Sequence, residues 1–123
     1  MLLQSYAVPT PRGTSMPRIE ARVAEVRIDP QNLDAYRRIC GFQCGTVLPC
    51  TYLHVVATPL HLALLTDAQF PVRMFGLVHL RDRIEVLHPV HEGDVLSLAC
   101  FAESERAAED GREFEFVTQV SCG

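Results

Sequence analysis

The sequence contains no lysine, and all eleven of its basic residues are arginine. A Schiff base or a lysine nucleophile is therefore excluded. There is no basic run either. Eleven arginines against fifteen acidic residues give a net charge of −4, which removes the electrostatic case for a nucleic-acid partner. No apolar run reaches the ~18 residues of a membrane span. The opening MLLQSYAVPTP lacks the basic segment and long apolar core of a secretion signal, so a cytoplasmic protein is expected. Cys40, Cys44, Cys50, Cys100 and Cys122 are odd in number and lack paired C-x-x-C spacing, so no metal is expected. They read as reduced thiols packed as small hydrophobes. Repeats and low-complexity segments are also absent, and 123 residues suffice for one domain with its own core.

What the chain does have is apolar patterning, with 48% apolar and 21% charged residues in a globular balance. Residues 1–17, with their prolines, read as an N-terminal arm ahead of a single domain over residues 18–123. IEARVAEVRI (19–28) alternates with a change of phase near Val23 and Ala24, a strand with a bulge. DPQNLDAYRRICG predicts a short helix. Asp29 caps it, Pro30 opens it, Leu33, Tyr36 and Ile39/Cys40 share a face, and Gly41 ends it.

TYLHVVATPLHLALLTDAQF (51–70) is the most apolar stretch and carries His54 and His61 on either side of Pro59. Proline lacks the N–H and clashes with the preceding turn, but it suits a first helical position after a cap such as Thr58. Residues 51–57 are therefore expected to be extended, with a helix from Pro59 to about Asp67 and His61 in its first turn, near the positive end of the helix dipole. Leu60, Leu62, Ala63, Leu64 and Leu65 point all round that helix, which calls for enclosure. Residues 77–90, 94–105 and 112–120 are strand patterns, joined by HEGD and by a loop ending in Asp110-Gly111. In the last of them Phe114, Phe116 and Val120 oppose Glu113, Glu115 and Gln119, giving one buried and one wet face. An apolar helix wrapped by a curved antiparallel sheet is the α+β hot-dog fold.

VVATPLH (55–61) resembles the Gly-Asp-x-Asn-Pro-[Ile/Leu]-His segment of the MaoC-like (R)-specific enoyl-CoA hydratases and 3-hydroxyacyl-thioester dehydratases. Pro59, Leu60 and His61 match its end. Thr58 stands for the asparagine, Val56 for the catalytic aspartate and Val55 for the glycine. IEVLHPVHEGDVLSL (84–98) resembles the family's strand, Gly-Asp turn and strand, and FPVRMFG (70–76) its Phe…Gly stretch without the long helix that follows. The likeness covers residues 47 to 121 and is closer to the N-terminal half of double hot-dog members, the half that has lost the motif. A linker to a second half would begin after Cys122-Gly123.

The resemblance implies that His61 is the catalytic residue and that Thr58, His54, Phe70 and Gly76 line the substrate site. His54 has a competing reading as an ordinary core histidine. The implied ligand is a coenzyme A or acyl-carrier thioester, with no cofactor. The implied partner is a second hot-dog unit, either in a homodimer or as a C-terminal half. Burial and the helix dipole would keep His61 neutral, and first-turn N–H groups would favour an oxyanion. Val56 cannot move a proton, and losing general acid–base help costs ~10²–10⁴-fold, so little activity is expected. Replacing Val56 with aspartate and Thr58 with asparagine should restore some of it. Asp67, Asp82 and Asp94 are candidate substitutes, although each fits a structural role. His79, His88 and His91 read as solvated. Arg73, Arg81 and Arg83 read as a coenzyme A phosphate site or, more simply, a wet strand face. Two classes stay open: a thioester hydratase or dehydratase, alone or completed by a second unit, and a silent acyl-binding or pairing module.

Overall fold

Long alternating patterns in the second half of the chain become antiparallel strands, and the proline-bearing apolar segment becomes the helix across them. The computed structural model describes residues 2–8, 19–67, 77–108 and 111–122. Its elements are β1 (Leu2–Val8), β2 (Glu20–Arg27), α1 (Pro30–Cys40), α2 (Tyr52–Leu65), β3 (Val78–Ile84), β4 (Val95–Ala108) and β5 (Gly111–Cys122). The strands form one sheet in the order β2-β4-β5-β1-β3, and every pairing is antiparallel. Leu96, Leu98, Cys100 and Ala102 of β4 and Phe114, Phe116 and Thr118 of β5 are buried on its inner face. Leu53, Ala57, Leu60 and Leu64 of α2 join the same core.

Several expectations need correction. Residues 2–8 are not part of an arm but an internal strand, with Leu2 paired to both Thr118 and Ile84. The prolines of that region begin only at Pro9, so seven residues were left competent to pair on both sides. The rest of the expected arm lies outside the described residues. The strand pattern of residues 77–90 stops at Ile84. β3 is an edge strand and β4 lies beyond β5, so residues 85–94 must cross the end of the sheet rather than make a hairpin. Val47 bridges His91 along that crossing.

The third correction concerns α2, which runs through Pro59 from Tyr52 to Leu65. Its start is set earlier, where the N–H groups of Tyr52, Leu53 and His54 donate to the carbonyls of Pro49, Cys50 and Thr51. Pro59 costs the helix one hydrogen bond, to the carbonyl of Val55, and that residue is exposed, so water can replace the donor. Thr58 is not a cap; its Oγ1 donates to the His54 carbonyl one turn back, at 2.9 Å. Nor is α2 enclosed all round. Val55 and Leu62 are 37% and 46% exposed, because the sheet covers only one side of it. The fourth correction is to the cysteines: all five are free, but only Cys100 is buried.

The local signals elsewhere held. Asp29 Oδ1 accepts from the Gln31 N–H at 3.0 Å, and Gly41 ends α1 in the left-handed region at φ 77°. The face of α1 differs from expectation, since Leu33 and Arg37 are buried while Ile39 is 84% exposed. Arg37 goes inward because its Nη2 donates to the Val47 carbonyl at 3.1 Å, with Glu92 3.7 Å from Nη1. The bulge in β2 falls where the phase changes. Val23 pairs with Leu98 and Val26 with Leu96, so one extra residue is held with Glu25 at φ 57°.

Candidate functional site

A continuous α2 puts His54 and His61 seven residues apart, two turns along one face. Both look toward the inner face of the sheet. His61 is buried, and its Nε2 lies 2.8 Å from the Thr118 hydroxyl of β5. The ring of His61 tilts against Phe116 at 6.0 Å between centroids and meets His54 edge-on at 5.7 Å. His54, half-buried, stacks on His79 of β3, with centroids 6.4 Å apart and planes 12° from parallel. His79 Nε2 lies 3.2 Å from Asp82 Oδ1.

The register explains how β3 contributes to this face. Asp82 is level with Gln4 and Phe116, and His79 with Tyr6 and Phe114. Cross-strand partners share a face, and Phe114 and Phe116 are buried on the inner one. Residues three apart would ordinarily point to opposite sides, but a register shift between Ser5 and Tyr6 absorbs one residue of β3.

The electrostatics follow from that setting. Burial lowers the pKa of His61 to about 4, helped by the neighbouring His54 and His79 and opposed by the Asp82 carboxylate. The expected neutral imidazole is present, but the helix dipole is not its cause, because His61 lies in the third turn of α2. First-turn N–H groups are also unavailable to an oxyanion, being bonded to the residues just before the helix. Thr118 is shared with Cys100, whose buried thiol is pushed up to about 11.

Of the expected site residues, His61 and His54 are brought together. Thr58 lies on the same helix with its hydroxyl spent on the backbone, and Phe70 and Gly76, like Arg73, lie outside the described residues. Val56 is partly buried against the core. At 100° per residue it stands about 140° around the axis from His61, so an aspartate there would not meet that imidazole while α2 stays helical. Three residues were missed. Thr118 interrupts the apolar series Phe114, Phe116, Val120, and a polar residue on a buried face was a legible signal. His79 and Asp82 were read as solvated or structural, because simple alternation hides the bulge that unites them.

A cavity of about 400 Å³ is lined by Leu53, Val86, Pro89, Val90, Val120 and Cys122 among others, and none of His54, His61, His79, Asp82 and Thr118 lines it. Val120 is one inward step along β5 from Thr118, about 7 Å away. Among the described residues no three His, Cys, Asp or Glu side chains are grouped to hold a metal, and no helix is long and apolar enough to cross a membrane.

An antiparallel sheet with an apolar, histidine-bearing helix across its inner face defines a hot-dog domain. Sequence comparison gives 31% identity over 113 residues to 3-hydroxyacyl-thioester dehydratase X of Mycobacterium tuberculosis, covering 92% of this chain and 40% of that protein. The crystal structure of the same dehydratase matches with a TM-score of 0.76 at 28% identity, over 85% of this chain and 45% of that one. The chain thus spans less than half the length of this relative. No family model matches the sequence. The chain shares the hot-dog fold of this dehydratase and is similar to it in sequence along most of its own length.

Proposed function

We propose that the chain is an acyl-thioester-handling unit of the 3-hydroxyacyl-thioester hydratase–dehydratase type, in which the family motif no longer carries the reaction. The observation behind this reading is the partner of His61, a threonine hydroxyl where the chemistry needs a carboxylate, with Val56 at the aspartate position. Its ligand is a coenzyme A or acyl-carrier thioester, and no cofactor is needed for adding or removing water across an activated double bond. The acyl chain lies in the cavity beside Leu53 and Val120, with the thioester toward the histidines. A second hot-dog unit completes the protein, either another copy or a C-terminal half, in keeping with a relative more than twice as long. The cytoplasm is the proposed location, where acyl-CoA occurs and the five free cysteines stay reduced.

The same observation favours a second reading, an acyl-binding module with no turnover. Titration of the purified chain with butyryl-CoA, alongside hydration of crotonyl-CoA, tests both. Saturable butyryl-CoA binding with hydration well below the ~10 s⁻¹ of a median enzyme is expected. Rapid hydration abolished by His61→Ala would overturn the claim that the motif is impaired. Absence of acyl-CoA binding would overturn the proposal as a whole.

A further inference from the structure

The cavity stands apart from the histidines, and that separation measures the ligand. Thr118, the partner of His61, and Val120, which lines the cavity, are successive inward residues of β5, about 7 Å apart. On α2 the cavity is bordered by Leu53, about 12 Å along the helix axis from His61. An extended hydrocarbon advances about 1.3 Å per bond. A thioester carbonyl held at His61 therefore brings about its sixth carbon level with Val120 and about its tenth level with Leu53. A methylene group fills about the 30 Å³ that a water molecule takes in the liquid. The cavity of about 400 Å³ thus has room for on the order of ten of them.

The lining is apolar where it is deep and polar where it is open. Leu53 is buried and Val90 and Val120 are half-buried, whereas Glu85, His88, Ser121 and Cys122 are exposed. Val86 and Leu87 also line the cavity, yet they are 49% and 77% exposed. Apolar side chains left open to water in a concave site gain from a ligand that covers them. The wall formed by residues 85–90 is fixed at its far end. There the Leu48 N–H donates to the Val90 carbonyl and the Glu92 N–H to the Thr46 carbonyl, both at 2.8 Å. Nη1 of the buried Arg37 lies 3.7 Å from Glu92.

We propose that this cavity selects medium-chain acyl thioesters, of about eight to fourteen carbons, with Leu87 and Val120 as the residues that set the length. This rests on the acyl-thioester reading given above and adds the class of acyl chain to it. An acyl group as short as butyryl ends before the cavity and gains nothing from it.

Calorimetry of the chain with saturated acyl-CoA thioesters from butyryl to tetradecanoyl, and with coenzyme A alone, tests the assignment. Kd should change little from butyryl to hexanoyl, then fall about 2- to 4-fold with each added methylene as far as decanoyl. Leu87→Asp alters an exposed side chain, so the fold is retained. It should weaken decanoyl-CoA binding by about 10-fold and leave butyryl-CoA binding unchanged. Val120→Phe takes up cavity volume and should make the tightest-bound chain about two carbons shorter. Ile39→Gln, on the exposed side of α1 and away from the cavity, should change neither. Equal Kd values for butyryl- and decanoyl-CoA overturn the inference and leave the acyl-thioester reading in place. A preference for decanoyl-CoA that Leu87→Asp leaves intact overturns it too, because the tail then lies elsewhere. Failure of every acyl-CoA to bind removes the acyl-thioester reading itself, and the inference with it.

Discussion

His61 binds its proton far less readily in the folded chain than in the unfolded one, and that difference makes stability depend on pH. Its pKa falls from 6.5 to about 4 on folding, chiefly by burial. Between those values the unfolded chain holds more protons, so stability rises with pH across the window. It is complete above about 6.5 and declines as the pH falls toward about 4, by on the order of 3 kcal/mol in total. Urea midpoints at pH 5 and pH 7 should therefore differ, and His61→Phe should shrink that difference. An equal difference in both proteins would rule His61 out as its source. Thr118 sets the other side of the contact. Thr118→Val leaves a buried imidazole nitrogen without its partner and should cost about 1–3 kcal/mol, measured at pH 7 where the histidine is neutral in both states.

Pro59 is where an element departs most from its sequence signal. Helix propensity gives an interior proline a penalty of about 3 kcal/mol, against about 1 kcal/mol saved by stiffening the unfolded chain. Pro59→Ala should therefore stabilise the chain by about 2 kcal/mol in chemical denaturation, whereas a proline at the first helical position would give no gain. The proline rule failed because Leu53 and Ala57 before it, and Leu60 and Leu64 after it, are buried in one core. That burial holds the helix across a missing hydrogen bond. The caps of α1, the bulge of β2 and the strands β4 and β5 were legible because each depends on neighbouring residues alone. β1 was not, since a seven-residue strand between β5 and β3 is defined by distant partners. The site was half legible for the same reason: the motif led to His61, but Thr118, His79 and Asp82 reach it only through sheet register. Glu25 offers a local check on the bulge, because a side chain at φ 57° carries strain that glycine lacks. Glu25→Gly should be neutral or stabilising by up to about 1 kcal/mol, unlike glycine elsewhere in a strand.

At the scale of the whole molecule, the outer side of α2 stands out. Val55, Pro59 and Leu62 fall at i, i+4 and i+7, one exposed stripe on a helix that carries no charged side chain. The edge strand β3 adds Val78 and Leu80, 57% and 41% exposed. Open edges and apolar stripes favour association. The relative is long enough for two units of this size, since the chain covers 40% of its length. Self-association of the isolated chain is therefore expected, with the α2 stripe or the β3 edge in the contact. Leu62→Glu tests the stripe without touching the core. At an exposed position the substitution should change stability by no more than about 0.5 kcal/mol, yet the buried charge it would place in an interface should drive the assembly toward monomer. Light scattering of both proteins at matched micromolar concentration reads the result. An unaltered chain that is already monomeric would refute association. An assembly indifferent to Leu62→Glu would move the contact to the β3 edge, where Leu80→Glu should then disrupt it.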